Sequence, residues 1–301
     1  MYLYKEETVR AYEEFASKMA NLKVLQKVTH ESFKKEVLAC MEYSKGVENI
    51  HPDEQLPLSI QNMFFYCLKS GEARLYGHSK VTIQEQKDRL FHHKNKQYQW
   101  LLAEAYEIYA DFLESLYACA GYSDNNLWAM SDFGSISCND INGKDLSFYN
   151  VQASKKKDRP KSILNQFRRK FPEIQNVELD NKHGINLQLT LSLIQNFRHI
   201  IVHENGIVKD KKVFLKKVLT EACLYNGGNY NEKYLSYINQ FFGGGEHANL
   251  ILLLEKSHET DFPIQFITDR LGNFISLLVA HSALITEELL KHLISSLKCN
   301  I

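Results

Sequence analysis

The stretch from residue 187 to residue 206, LQLTLSLIQNFRHIIVHENG, constrains the fold of this chain more than any other segment. Two stripes of mainly apolar residues run along it at helical spacing, on opposite sides of the helix. One stripe comprises Leu187, Leu191, Ile194, Arg198 and Ile201, and the other comprises Leu189, Leu193, Phe197 and Ile200. A helix that is apolar all round is normally covered on both sides. The pattern therefore predicts a central helix with a packing partner on each face.

The end of this predicted helix carries a charged cluster of Arg198, His199 and His203. Charged groups inside an apolar segment need either a cleft or a counter-charge, because burying them alone is costly. Asn205 and Gly206 follow, and both tolerate the left-handed backbone conformation that ends helices. The helix is therefore predicted to stop there, with His203 in its last turn.

The segment Arg198-His199-Ile200-Ile201-Val202-His203 resembles the motif of the HEPN superfamily, named for higher eukaryote and prokaryote nucleotide-binding domains. In that motif an arginine, a polar residue, three spacers and a histidine follow an apolar helix. The glycine-containing turn after His203 strengthens the resemblance, which covers roughly residues 95 to 297. It implies an all-α, HEPN-like helical bundle; the chain adds an N-terminal helical extension and one small β-hairpin.

The resemblance also implies an activity, that of a homodimeric endoribonuclease that needs neither metal nor cofactor. His203 would act as general acid or base, Arg198 would clamp the phosphate, and His199 would orient one of them. Attack by the RNA 2′-hydroxyl would leave a 2′,3′-cyclic phosphate and a 5′-hydroxyl. Such enzymes act as bacterial toxins or in antiphage defence, so an antitoxin or regulatory partner is a further expectation.

Three alternatives stay open. Arg198 could pair with an acidic core residue while His203 caps the helix C-terminus, where the dipole favours a cation. The domain could be a non-catalytic HEPN module that binds nucleotide or RNA, or the partner of a nucleotidyltransferase in a toxin–antitoxin pair. It could also be a helical scaffold without a ligand. Two departures from the family pattern bear on this choice: His199 stands where asparagine is frequent, and Glu204 directly follows His203.

Acidic support for the motif is expected from the helix that spans residues 81 to 120. Its segment Tyr109-Ala110-Asp111-Phe112-Leu113 resembles the first core helix of prokaryotic HEPN proteins. That likeness points Asp111 or Glu114 toward the cleft, with Glu204 as a third candidate. On a helix such acids are more often plain solvent-facing residues.

A basic segment precedes the motif helix, with eight basic residues and one acid between Lys155 and Lys170. After Pro160 the apolar positions follow helical spacing, which predicts a short amphipathic helix beside fixed positive charge. The residues predicted to contact RNA phosphates are Lys161, Arg168 and Arg169. The alternative is an ordinary solvated surface.

The other expectations come from periodicity and from turn residues. Helices are predicted over residues 3–45, 58–70, 81–120 and 263–297, with a connector at 51–57, a turn or short extended piece at 71–80 and an irregular insertion at 121–160. A short strand at 249–254 is predicted to pair near Gly206. The domain division is 1–80, an N-terminal helical region of unknown role, and 81–301, the HEPN-like domain.

Composition fits an ordinary globular protein, with 36 basic and 36 acidic residues among 301. Net charge therefore favours no partner, and an RNA site must be a local concentration of charge. The six cysteines stand singly, which favours a reducing cytoplasm over a disulfide framework. Neither a signal-type run nor an uninterrupted apolar segment of membrane-spanning length is evident, so no membrane contact is expected.

Overall fold

The computed structural model describes residues 2–48, 59–136, 138–141, 143–227, 231–258 and 266–298. These residues are mostly helical and include two small antiparallel two-stranded sheets, which confirms the all-α class with a small hairpin. In chain order the elements are α1 (Tyr2–Glu48), β1 (Ser59–Tyr66), β2 (Ala73–Val81), α2 (Ile83–Ser123), α3 (Cys138–Ile141), α4 (Leu146–Ser154), α5 (Lys161–Lys170), α6 (Pro172–Leu179), α7 (Leu187–His203), α8 (Lys211–Glu221), α9 (Glu232–Asn239), β3 (Lys256–His258), β4 (Phe266–Thr268) and α10 (Arg270–Lys298).

The chain divides into two compact units, and the division differs from the predicted boundary at residue 80. One unit is Leu25–Tyr98, and the other combines Met1–Val24 with Gln99–Ile301. Helices α1 and α2 each contribute residues to both units. Both divisions fall inside continuous helices, where no glycine or proline marks a boundary. The composition of the sequence therefore did not indicate them.

The unit Leu25–Tyr98 contains the β1–β2 hairpin, and this corrects the predicted helix at residues 58–70. Strand β1 pairs antiparallel with β2, with a register shift between Met63 and Phe64. The run SIQNMFFY is as apolar as a short helix would be, but its backbone groups pair with residues 73–81 instead. A small core lies in the same unit, formed by Phe33, Cys40, Ile83 and Leu90, with Val37 packed against them.

Helix α7 is the central helix of the other unit, as predicted. Both of its stripes are buried apart from Arg198, and it packs against α6, α8 and α10. Phe197 is fully buried and lies 5.7 to 6.2 Å, between ring centroids, from four other phenylalanines. These are Phe214, Phe241, Phe242 and Phe274. The packing partners on both faces of α7 therefore come from the same chain.

Helix α10 contains a segment, Arg270–Ser296, that is long and apolar enough to cross a membrane by length and composition, with a mean hydropathy of 1.3. The apolar face of the helix lies in the protein core through Leu271, Phe274, Ile275, Leu278, Ile285 and Leu289. This pattern is compatible with the core helix of a soluble protein.

Several smaller predictions can be compared with the structure. The helix after Pro160 is confirmed as α5, with Ile163, Leu164 and Phe167 buried. The predicted strand at 249–254 is reduced to single bridges, one of which joins Ile207 to Leu250. Residues 121–160 contain short helices within the predicted irregular segment. The last helix begins at Arg270 and not at residue 263, because Phe266–Thr268 pairs with β3 as strand β4. The predicted connector at 51–57 lies outside the described residues.

Candidate functional site

The turn that ends α7 fixes the position of the motif. The amides of Glu204 and Gly206 both donate to the carbonyl of Ile200, at 2.8 and 3.1 Å. Asn205 and Gly206 have φ values of 55° and 78°, so both adopt the left-handed conformation predicted for a helix stop. Beyond the turn, the Gly206 carbonyl accepts a hydrogen bond from the amide of Ile251 at 3.0 Å. The end of α7 is thus tied to a distant part of the chain.

The two motif histidines are neighbours on the surface of α7. His199 and His203 are exposed, and their ring centroids lie 4.8 Å apart with the planes tilted by 52°. Residues four apart stand on the same side of a helix, which explains the contact. The apolar side chain between them in sequence, Val202, is 50% exposed. His199 was expected to orient either Arg198 or His203, and its ring contacts that of His203.

The guanidinium of Arg198 has a carboxylate partner that the sequence analysis missed. Its Nε donates to Oε1 of Glu107 on α2 at 2.5 Å, with the two side chains 30% and 51% exposed. The pairing matches the alternative in which Arg198 binds an acid, although Glu107 lies at the surface and not in the core. No local signal distinguishes Glu107, because it is one of three acids in the run AEAYEIYAD.

The three predicted supporting acids occupy other positions. Glu114 accepts a hydrogen bond from Arg159, and Asp111 lines a separate cleft with Arg10 and Glu14. Glu204 forms an ion pair with Lys209 at 3.4 Å, in the turn after α7. The α2 carboxylate that reaches the motif arginine is therefore Glu107, one helical turn before Asp111.

The predicted phosphate contacts on α5 separate into two kinds. Arg168 is held by Glu178, whose carboxylate accepts hydrogen bonds from Nε of Arg168 at 2.7 Å and from its Nη2 at 3.0 Å. This pairing gives Arg168 a structural role, although Arg168 also lines the groove that contains the other two predicted contacts. Lys161 and Arg169 are exposed, and both line a groove of about 560 Å³. On α7 the groove is lined by Gln188 and Gln195, and Gln195 lies one turn before His199.

Glu178 is the centre of a buried polar network. Its carboxylate also receives hydrogen bonds from His281 at 2.7 Å and from Gln188 at 3.0 Å, and His281 contacts the hydroxyl of Tyr109 at 2.7 Å. Burial alone would raise the pKa of Glu178, but the bonds from His281 and Arg168 outweigh it and hold that pKa at about 2. Burial and the charge of Glu178 raise the pKa of Tyr109, so its hydroxyl stays protonated.

The geometry of α7 limits how the motif can act within one chain. The helix remains regular through His203, so Arg198 and His203 point about 140° apart around its axis. One chain therefore presents the imidazole pair on one side and the guanidinium on another. Among the described residues, no group of three or more His, Cys, Asp or Glu side chains is arranged to hold a metal ion.

No family model, curated protein or solved structure matches this chain. The chemistry of the site is therefore considered from the side chains around the end of α7 alone.

Proposed function

We propose that the protein is a metal-independent endoribonuclease of HEPN type, acting as a homodimer. The observation that carries this proposal is the exposed pair His199 and His203, 4.8 Å apart between ring centroids, at the end of the helix that also bears Arg198. Imidazole is the side chain best suited to carry a proton near neutral pH, and guanidinium matches the geometry of a phosphate. Together they supply what phosphodiester cleavage by a neighbouring hydroxyl requires.

In the proposed reaction, one imidazole removes the proton of the RNA 2′-hydroxyl, whose oxygen then attacks the adjacent phosphorus. The P–O5′ bond breaks, and the leaving oxygen takes up a proton from an imidazolium of the cleft to become a 5′-hydroxyl, so that no net proton is gained or lost. Arg198 stabilises the additional negative charge on the phosphoryl oxygens. His203 is the proposed proton carrier, and His199 orients it through the contact between their rings.

Dimerisation follows from the 140° separation, because the imidazoles of one copy need the guanidinium of another to reach the same phosphate. The exposed side chains Val202 and Ile207, each 50% exposed, flank this end of α7 and would lie in that interface. The single active cleft would then contain residues from both subunits.

RNA binding is proposed to extend along the groove that contains Lys161 and Arg169. Phosphate contacts position a nucleic acid without reading its bases, so these cations would set affinity and leave the chemical step unchanged. The proposed setting is the cytoplasm of a bacterium, in toxin or antiphage function, with an antitoxin or regulatory protein as partner.

The decisive experiment compares wild-type protein with Arg198→Ala and His203→Ala on a defined RNA in EDTA. Each substitution should lower the cleavage rate by a factor on the order of 10² or more, because it removes charge stabilisation or proton transfer. His93→Ala, which alters an exposed histidine on α2, serves as the matched control and should cleave normally. The wild-type products should carry 2′,3′-cyclic phosphates, and a strand with 2′-deoxyribose at the cleaved position should be inert. Full activity in His203→Ala, or cleavage of DNA, would refute the proposal.

A second candidate function is RNA binding without cleavage, and one observation favours it. Glu107 already accepts a short hydrogen bond from Arg198, so a phosphate must compete with a carboxylate for that guanidinium. Under this alternative the protein retains RNA on a filter but leaves its length unchanged. A gel of the RNA recovered from such a complex distinguishes the two functions.

A further inference from the structure

A second cavity lies beside the N-terminal end of the central helix, and its walls are mainly apolar. Its volume is about 590 Å³, within the range of about 300–1,000 Å³ typical of small-molecule sites. Helices α6, α7, α9 and α10 and their flanking turns contribute to the walls. The apolar lining residues are Val177, Ile185, Leu187, Phe241, Phe274, Leu277 and Leu284.

The charged side chain of Arg270 lines this cavity and makes few hydrogen bonds. Arg270 is only 8% exposed, and its Nε has no hydrogen-bond partner among the described residues. Its Nη1 donates one long hydrogen bond, of 3.4 Å, to the carbonyl of Leu254. A buried guanidinium without an anion is costly, and its burial lowers the pKa of Arg270.

The neighbouring acid does not neutralise this charge. Asp269 directs one carboxylate oxygen to Lys23 at 3.0 Å and the other to the amide of Gly272 at 2.8 Å. The described residues that line the cavity include no aspartate or glutamate. Arg270 is also the first residue of α10, where the helix dipole adds positive potential. Within the described part of the chain, the cavity thus combines a mainly apolar lining with a guanidinium that has no acidic partner.

We propose that this cavity binds a small amphipathic carboxylate, with its apolar body against the walls and its carboxylate on Arg270. A single cation balances a monoanion, whereas a phosphate dianion would need further donors or charges. The polar lining residues Asn181 and Asn273 can hydrogen-bond the remaining carboxylate lone pairs. This site is separate from the proposed ribonuclease site and does not depend on it.

The test is calorimetric titration of the full chain with decanoate and, separately, with 1-decanol. The two probes share an apolar body and differ in charge. Decanoate should bind at least tenfold more tightly than 1-decanol, and Arg270→Gln should remove this preference while leaving the alcohol unaffected. Arg74→Gln, which neutralises an exposed arginine on β2, is the matched control and should bind decanoate like wild type.

A second variant keeps the test conclusive if Arg270→Gln fails to fold. Ala280→Phe adds bulk at an exposed position of the cavity lining and should weaken both probes. The proposal is overturned if wild type binds neither probe, if it binds both equally, or if folded Arg270→Gln keeps full decanoate affinity. Decanoate binding that Ala280→Phe leaves unchanged would place the ligand elsewhere and would also overturn it.

Discussion

Glu178 shows how one buried carboxylate can organise several elements. It is fully buried, and it binds Arg168 of α5, Gln188 of α7 and His281 of α10. Removing one partner from a buried charge pair typically costs about 3–5 kcal/mol, because the remaining charge is left without compensation. Glu178 therefore matters for stability, although nothing places it at the reacting phosphate.

We predict that Glu178→Gln lowers the free energy of unfolding by about 3 kcal/mol near neutral pH. Its folded-state pKa of about 2 lies below the value of 4.5 for an unperturbed glutamate, so its contribution is present above pH 4.5 and is lost as the pH falls toward 2. Urea unfolding of wild type and variant should converge over that window. Glu173→Gln, an exposed acid on the same helix, should behave like wild type, and equal losses in the two variants would contradict the prediction.

The residues of this network illustrate what local sequence can and cannot predict. His281 recurs with Leu278 and Ile285 at the spacing of one helical face, and it is fully buried with them. Glu178 gave no signal, because an acid in the segment PEIQNVELD looks like any solvent-facing residue. Its partners stand 10 to 103 positions away in the chain, and only the packed structure brings them together. Glu107 and Arg198, 91 positions apart, were missed for the same reason.

At the scale of elements, the hairpin is the clearest failure of local prediction and α7 the clearest success. Helix α7 carries its own start and stop, since the Asn186 side chain accepts from the amide of Leu189 and Gly206 ends it. Strand β1 carries no comparable information, because its stability comes from pairing with β2 across a turn. Strand preference depends on such pairing more than helix preference does, so a window of eight residues cannot settle it.

The turn after α7 offers a test at this scale. A Cβ atom at Gly206 would lie 2.4 Å from the Gln99 side chain, and φ is +78° there. We predict that Gly206→Ala destabilises the protein by about 1–3 kcal/mol through strain and this clash. Gly184→Ala is the control, since φ is also positive at +61° but nothing lies within 4 Å of the added Cβ. Equal losses in chemical denaturation would show that the Gln99 contact contributes nothing.

Helix α5 offers a second test at the scale of elements. If Lys161 and Arg169 contact two phosphates of single-stranded RNA, replacing both with glutamine should reduce the slope of log affinity against log salt by roughly 1.4. The measurement is RNA binding over a series of salt concentrations. Replacing Lys34 and Lys35, two exposed lysines of α1, with glutamine removes the same charge and should leave the slope unchanged. An unchanged slope in the α5 variant would indicate that this segment is an ordinary solvated surface.

For the whole molecule, the central prediction concerns subunits that share one cleft. Arg198→Ala and His203→Ala proteins, each inactive alone, should regain activity when mixed and allowed to exchange subunits. A wild-type dimer has two combinations of Arg198 from one copy with His203 from the other, and a mixed dimer keeps one of them. Because half of the dimers are mixed after exchange, activity should reach about one quarter of wild type. Mixed proteins that form dimers but stay inactive would mean that the motif acts within one chain.

The interface itself can be tested independently of activity. Val202→Asp places a charge at the exposed end of α7 and should shift the protein toward monomers in sedimentation experiments at micromolar concentration. Val151→Asp makes the same change at a similarly exposed valine of α4 and should remain dimeric. A monomeric wild-type protein would contradict the proposed assembly before any variant is made.

The discontinuous unit has a consequence for synthesis on the ribosome. Phe15, Met19 and Leu22 of α1 are buried in a unit whose remaining residues begin at Gln99, and Phe15 packs on Phe112 with ring centroids 4.5 Å apart. Because the chain emerges from its N-terminus, this apolar stripe leaves the exit tunnel well before its partners are translated. We expect nascent chains whose α1 stripe has left the tunnel, but whose α2 has not, to recruit holding chaperones through this stripe and to release them once α2 has emerged.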